Sequence, residues 1–254
     1  MSGSKDFQVA DLFLDEADRK TINGITGKDW SIQYKFGQNE TVGTSYEDIT
    51  PWGNWTTLTS AETMNVVSDN TADSSTGTGV RTLQIRGLDN NYDEISEDVT
   101  MNGTNAVTTT KSFLVIHRME MLTAGSIQTN VGDITVTASS AGTTQAMING
   151  THSTTQAFYV VPRGYHAVLI GWETNAGKSD DFESNILFRK HTASNDGAWN
   201  TLKGLFVFES NTIYSFHGEI ILPEKTCIKV QAKTINVANR PFNADFTFLL
   251  IENY

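Results

Sequence analysis

Trp30-Ser31-Ile32-Gln33-Tyr34-Lys35-Phe36 is the stretch on which the reading of this chain turns. Large apolar side chains occupy every second position and polar ones fill the gaps, the period of a strand with one wet and one dry face. Burial of a large apolar side chain is worth roughly 1.5–3 kcal/mol, so Trp30, Ile32, Tyr34 and Phe36 are expected to face the core and fix the register.

The same period recurs on the C-terminal side. Residues 80–87 and 94–101 read as strands joined by the turn Leu88-Asp89-Asn90-Asn91, whose side chains tolerate left-handed backbone. Asn102-Gly103 matches a short hairpin turn. Residues 111–122 alternate with Phe113, Val115, His117, Met119 and Met121 on one side, and residues 133–138 supply a closing strand. Residues 68–79 are Ser, Thr, Asp and Gly with little apolar content and read as an exposed loop. Residues 138–144 are small, polar and uncharged, so they read as a linker between domains. Beyond them strand signals resume at 158–161, 166–174, 185–191, 202–209, 212–216, 219–222, 227–232 and 245–252. Spacing this short, broken by Gly, Asn or Pro, favours a sandwich or jelly roll over a parallel α/β design. The last strand is apolar on both faces and is expected to lie centrally.

On the N-terminal side the pattern changes. Phe7, Ala10 and Leu14 share one helical stripe within residues 6–20, and Val9, Phe13 and Ala17 share another. A short amphipathic helix is expected, either docking on a partner through Phe7, Leu12, Phe13 and Leu14 or packing on its own domain. The expected fold class is thus all-β: two antiparallel β-sandwich or jelly-roll-like domains, 26–140 and 145–254, behind a short arm, 1–25.

Composition agrees and narrows the function classes. The 254 residues include 34 Thr and 20 Gly but only 4 Pro, a balance that favours strands and turns over helices. The formal charge of −11 repels phosphate, so neither a nucleic acid nor an anionic membrane surface is the expected partner. No apolar run reaches membrane-span length, and Met1–Asp6 shows no secretion signal. Cys227, the single cysteine, has no intramolecular partner and reads as an inert core thiol.

No catalytic constellation stands out, and neither cofactor nor metal is expected. Gly177-Lys178-Ser179 ends like a phosphate loop, but Trp172 stands where its first glycine belongs, and acidic residues follow. Gly77-Thr78-Gly79 precedes a strand where a dinucleotide turn needs a helix. Asp89, Asn91 and Asp93 alternate like calcium ligands, yet Glu94 and Thr100 occupy the positions of the required glycine and glutamate. His117, His152, His166, His191 and His217 are scattered, and His117 reads as a hydrogen-bonded core or interface residue. Carboxylates such as Asp180-Asp181 and Glu94/Glu97 are near only in sequence. A fold-assembled glycosidase pair keeps a carbohydrate-active enzyme open as a distant alternative. Pro51-Trp52-Gly53-Asn54-Trp55 either offers Trp52 and Trp55 for stacking on sugar rings, as in a glycan-binding module, or plugs one end of the first sandwich; Trp199 is a further aromatic contact candidate.

Residues 78–89 (TGVRTLQIRGLD), 92–103 (YDEISEDVTMNG), Val107-Thr108-Thr109-Thr110 and Asn130-Val131-Gly132-Asp133-Ile134 form a turn-and-strand framework. With Pro162-Arg163-Gly164-Tyr165 and Ile221-Leu222-Pro223-Glu224-Lys225, it resembles a family of virion structural proteins of tailed, especially marine, bacteriophages, over about 28–254. The resemblance implies a non-enzymatic capsid decoration, head-fibre or tail component. Such a component would assemble in the host cytoplasm with other virion proteins and as a homo-oligomer, a trimer in preference. The alternative under the same resemblance is a tail adhesin for a host receptor or surface glycan. The shared motifs are structural and carry no catalytic residues.

Overall fold

The computed structural model describes residues 30–150, 153–177, 180–192, 197–208 and 211–253; the expected arm helix and Gly177-Lys178-Ser179 lie wholly or partly outside them. Every regular element among the described residues is a strand, and every ladder is antiparallel, so the chain is all-β.

The described residues form four sheets. The first runs β1 (Trp30–Val42), β16 (Arg240–Glu252), β11 (Tyr165–Ala176), β14 (Asn211–Leu222). The second runs β10 (Phe158–Val160), β15 (Thr226–Thr234), β12 (Asp181–Lys190), β13 (Asn200–Phe208), with β2 (Glu47–Asp48) added to β15. Between β2 and β10 in sequence lie two smaller sheets. One is β6 (Val107–Thr108), β3 (Met64–Ser68), β8 (Ile134–Ala138), β9 (Thr144–Ile148); the other is β5 (Glu94–Thr100), β4 (Val80–Leu88), β7 (Val115–Ala124).

Two apolar cores result. Trp172, Phe182, Phe242, Phe246 and Phe248 fill one, between the two larger sheets. Met64, Leu83, Ile85, Phe113 and Val136 anchor the other, between the smaller sheets. β10 serves both: Phe158 and Val160 enter the second core while Tyr159 enters the first. Strands covered on both faces lose the polar half of their alternation. That explains the unbroken run Phe158-Tyr159-Val160-Val161.

Three expectations need correction. First, the 26–140 unit does not hold together as drawn. β1 pairs with β16 from Trp30↔Ile251 to Val42↔Arg240, and β2 pairs with β15, so the N-terminal strands complete the sheets of the C-terminal half. Second, residues 138–144 are the turn of the β8–β9 hairpin, with Gly142 at φ 68°. Small polar residues suit a tight turn as well as a linker, and composition does not separate the two. Third, the alternation in β1 is real but faces the other way. Tyr34 is 52% exposed and Phe36 44%, while Lys35 is only 8% exposed and Gly37 and Asn39 also point inward. Gly37 shows why: a Cβ there would sit 2.2 Å from the Ile49 carbonyl and 2.4 Å from the Ala157 nitrogen. Backbones meet too closely on that side for Tyr or Phe to fit.

β16 lies centrally as expected, but only one of its faces is covered. Phe246, Phe248 and Leu250 are buried, whereas Leu249 and Ile251 are half-exposed. The segments expected at 212–216 and 219–222 are one strand, β14.

Candidate functional site

The free edge of β1 faces the β5-β4-β7 sheet across a cleft of about 580 Å³. The inward parity of β1 sends Lys35 towards this cleft, where its ammonium donates to the His117 carbonyl on β7 and lies 5.7 Å from the Tyr159 ring. Among the described residues no carboxylate pairs with it; the nearby charge is the like-signed Arg118. Burial first, and Arg118 second, draw the Lys35 pKa down to about 7.

The floor is rigid. His117 stacks on Tyr159 at 4.1 Å between centroids, and Tyr159 packs at 4.7 Å on Phe248. His117 Nε2 accepts from the Val160 N–H at 3.3 Å. Burial, helped by Lys35, holds the imidazole well below its ordinary pKa, so it is neutral near pH 7. This is the hydrogen-bonded core histidine the alternation around Phe113 indicates. Tyr159 is pushed far above the usual phenol value by burial and stays protonated.

The rim is charged and amide-rich. Arg86 and Arg118 flank Glu120 at 3.4 and 3.1 Å. Glu94 is the one carboxylate lining the cleft, and burial raises its pKa against the pull of Arg86. Gln156 is buried; its Nε2 donates to the Ile116 carbonyl at 2.8 Å, and its Oε1 has no partner among the described residues. Tyr34 and Phe36, exposed on the opposite face of β1 from Lys35, also border the cleft. The arrangement can hold a ligand with flat apolar faces, several hydroxyls and negative charge. It aligns no nucleophile with a base.

The tryptophans named from sequence are elsewhere. Trp55 is only 6% exposed and stacks on Phe158 at 4.0 Å, with planes 4° apart. Trp52 meets the same ring edge-on at 6.3 Å. Trp55 is part of the second core, and the half-buried Trp52 packs against it. Trp199 lies between the Arg189 guanidinium at 4.5 Å and the Lys229 ammonium at 4.4 Å. Lys229 is itself paired with the buried Asp48 at 2.7 Å. Phe7, Leu12, Phe13 and Leu14 fall outside the described residues.

The remaining candidates resolve into structure. Asp89 accepts from the Asn91 and Asp93 N–H groups at 2.7 and 3.0 Å, which makes it a turn-former. No group of three metal-ligating side chains occurs among the described residues. Cys227 is buried, and burial pushes its thiol up to about 12. Glu173 and Asp245 stand opposite each other on β11 and β16 but neither lines the cleft; burial and Glu173 raise Asp245 to about 6.

A second feature is apolar. The outer face of the β1-β16-β11-β14 sheet carries Ile32, Leu249, Val168 and Ile221 in one row, register partner to register partner. At its edge Ile213 is 70% exposed, and Phe206 and Phe208 on β13 are 61% and 59% exposed, with rings 6.2 Å apart.

No protein-family model matches this chain, and no curated protein matches it. Among solved structures it is similar to infectious bursal virus-derived T=1 particles, with 10% identity over 89% of this chain and 70% of that chain and a TM-score of 0.26. It is similar also to the infectious bursal disease virus VP2 subviral particle, with 9% identity over 88% and 72% and a TM-score of 0.26. Likeness this slight leaves the functional reading to the chain's own residues.

Proposed function

We propose that this chain is a non-enzymatic structural component of a virion, assembling with copies of itself and with other virion proteins. The observation that carries the reading is the apolar surface that the described residues leave exposed on the edge strands β13 and β14, each at the end of its own sheet, and on the outer face of the β1-β16-β11-β14 sheet. Both strands end their sheets, and each offers an unpaired backbone edge beside those side chains. Water-exposed apolar edges of this kind invite pairing with another chain, and soluble monomers suppress them. The tailed-phage setting rests on the sequence resemblance alone. On that setting residues 1–25 dock on the capsid or tail through Phe7, Leu12, Phe13 and Leu14, and the sandwich of the larger sheets faces outward as a trimer. The test is particle assembly with a chain lacking residues 1–25. The truncated protein is expected to fold and oligomerise yet stay off particles seen by electron microscopy. Normal incorporation overturns the docking role, and a monomeric full-length chain overturns the assembly role.

The cleft favours a second reading, an adhesin that holds a host glycan. Its support is the pair of outward rings, Tyr34 and Phe36, beside a wall of amides and hydroxyls.

A further inference from the structure

We propose that the cleft between β1 and the β5-β4-β7 sheet recognises a sugar bearing a carboxylate, a uronic-acid type unit of an acidic glycan. The inference rests on the glycan reading of the cleft and adds the charge of the ligand.

Charge distribution is the first argument. The chain is strongly acidic overall, yet the cleft gathers Lys35, Arg86 and Arg118 against the single carboxylate of Glu94. Glu120 pairs with both arginines from the same face of the β5-β4-β7 sheet but is not among the residues lining the cleft, and Lys35 has no such partner among the described residues. A cation is buried only with compensation, and Lys35 has one carbonyl acceptor and a ring in place of a carboxylate. A bound carboxylate supplies the missing charge.

Hydrogen-bond accounting is the second argument. Gln156 Oε1 is buried at the cleft wall and unpartnered among the described residues. A buried acceptor without a donor is uncommon in folded proteins, and a sugar hydroxyl is a donor of the right size. Ser96, Ser153 and Thr154 add further hydroxyls along the same wall. Shape is the third argument. Tyr34 and Phe36 border the cleft with exposed rings, which suit the C–H faces of a pyranose better than a bare inorganic anion.

The groups facing Lys35 fix the expected pH behaviour. Arg118 is permanently charged, His117 and Tyr159 are neutral around pH 7, and Glu94 is the single acid at the wall. A ligand carboxylate stabilises the ammonium, so binding takes up a proton and weakens as pH climbs above about 7.

Titration calorimetry on the full chain tests this with three probes: tetragalacturonate, its fully methyl-esterified tetramer, and acetate. Below pH 7 the acidic tetramer is expected to bind about tenfold more tightly than the ester, the worth of one charge-assisted hydrogen bond. Lys35→Met is expected to bring the two to parity without lowering thermal stability. Arg118→Gln, at a more exposed position, is expected to narrow the preference in a chain that folds as before. Equal binding of acid and ester overturns the charge inference and leaves the glycan reading standing. Acetate binding as tightly as the acidic tetramer overturns the sugar component, and no binding by either tetramer overturns both readings.

Discussion

Residues 68–79 and the edge strands β13 and β14 make opposite use of their composition. The first is polar and small, yet it is closed around a fully buried carboxylate. Asp73 accepts from Ser68 Oγ at 2.7 Å and from the N–H groups of Val80, Val131 and Gly132, each at 2.9 Å. The second is rich in Phe and Ile, yet its side chains face water at the rim of the sandwich. Polarity alone decides neither case. What separates them is whether the fold supplies partners: four donors converge on Asp73, and Phe206 and Ile213 stay 61% and 70% exposed among the described residues. The loop closes on itself, and the two edge strands are left open.

Removing Asp73 should produce the largest effect. Asp73→Ala removes the buried shared acceptor of four donors, and about 3–5 kcal/mol of stability is expected to go, read from urea unfolding. Asp73→Asn should fall between, since an amide oxygen still accepts but its NH₂ meets donors. A change near zero for the alanine variant would mean the loop is a surface loop after all, and the contrast with the edge strands would disappear.

Lys35 sharpens the contrast from a third position: buried like Asp73, but without a charge partner. Its folded pKa of about 7 lies below the ordinary 10.5, so above pH 7 the unfolded chain binds more protons at this site than the folded one. Stability therefore rises with pH through that window. Between pH 7 and 9 the site is expected to add roughly 1–3 kcal/mol, and Lys35→Met should flatten that slope. Above pH 9 Cys227 works in the opposite sense, because its folded pKa of about 12 exceeds the ordinary thiol value. Chemical denaturation of both proteins across pH 7–9 checks this. Parallel curves would mean Lys35 is solvated, and the cleft would lose its unpaired cation.

The fold class was legible because period-two alternation depends on local sequence, and β1, β4, β5, β7 and β16 all lie where it indicates. Facing was not legible in β1. Trp30, Ile32, Tyr34 and Phe36 satisfy the inward rule as well as any strand, and only the approach of Ile49 and Ala157 to Gly37 turns the set outward. Partnership was not legible either, since β1 finds β16 about two hundred residues away. For the same reason the cleft was missed. Lys35, His117 and Gln156 are unremarkable in sequence, and they meet only because β1 closes the C-terminal sheet beside β7. Trp55 did carry a usable signal, since a large ring in a Pro-started loop is as ready to plug a core as to bind a sugar.

The smallest effect on folding is the most informative about the edge strands. Phe206→Ser combined with Phe208→Ser removes the two stacked, exposed rings of β13. Because little of either ring is covered in one copy, the unfolding free energy of the isolated chain should move by no more than about 0.5 kcal/mol. The oligomer mass by light scattering should drop, since the same rings lie beside the open edge that another copy would meet. A large loss of stability with mass unchanged would mean the rings pack within their own chain, and β13 would then be as closed as the Asp73 loop. Unchanged stability with unchanged mass would move assembly to the Ile32-Leu249-Val168-Ile221 row, where Val168→Ser is the corresponding substitution. The docking of the arm is read on particles, and the exposed rings of β13 are read on the free protein. An oligomer lost by the serine pair and kept on removal of residues 1–25 assigns self-association to the sandwich edge and attachment to the N-terminus.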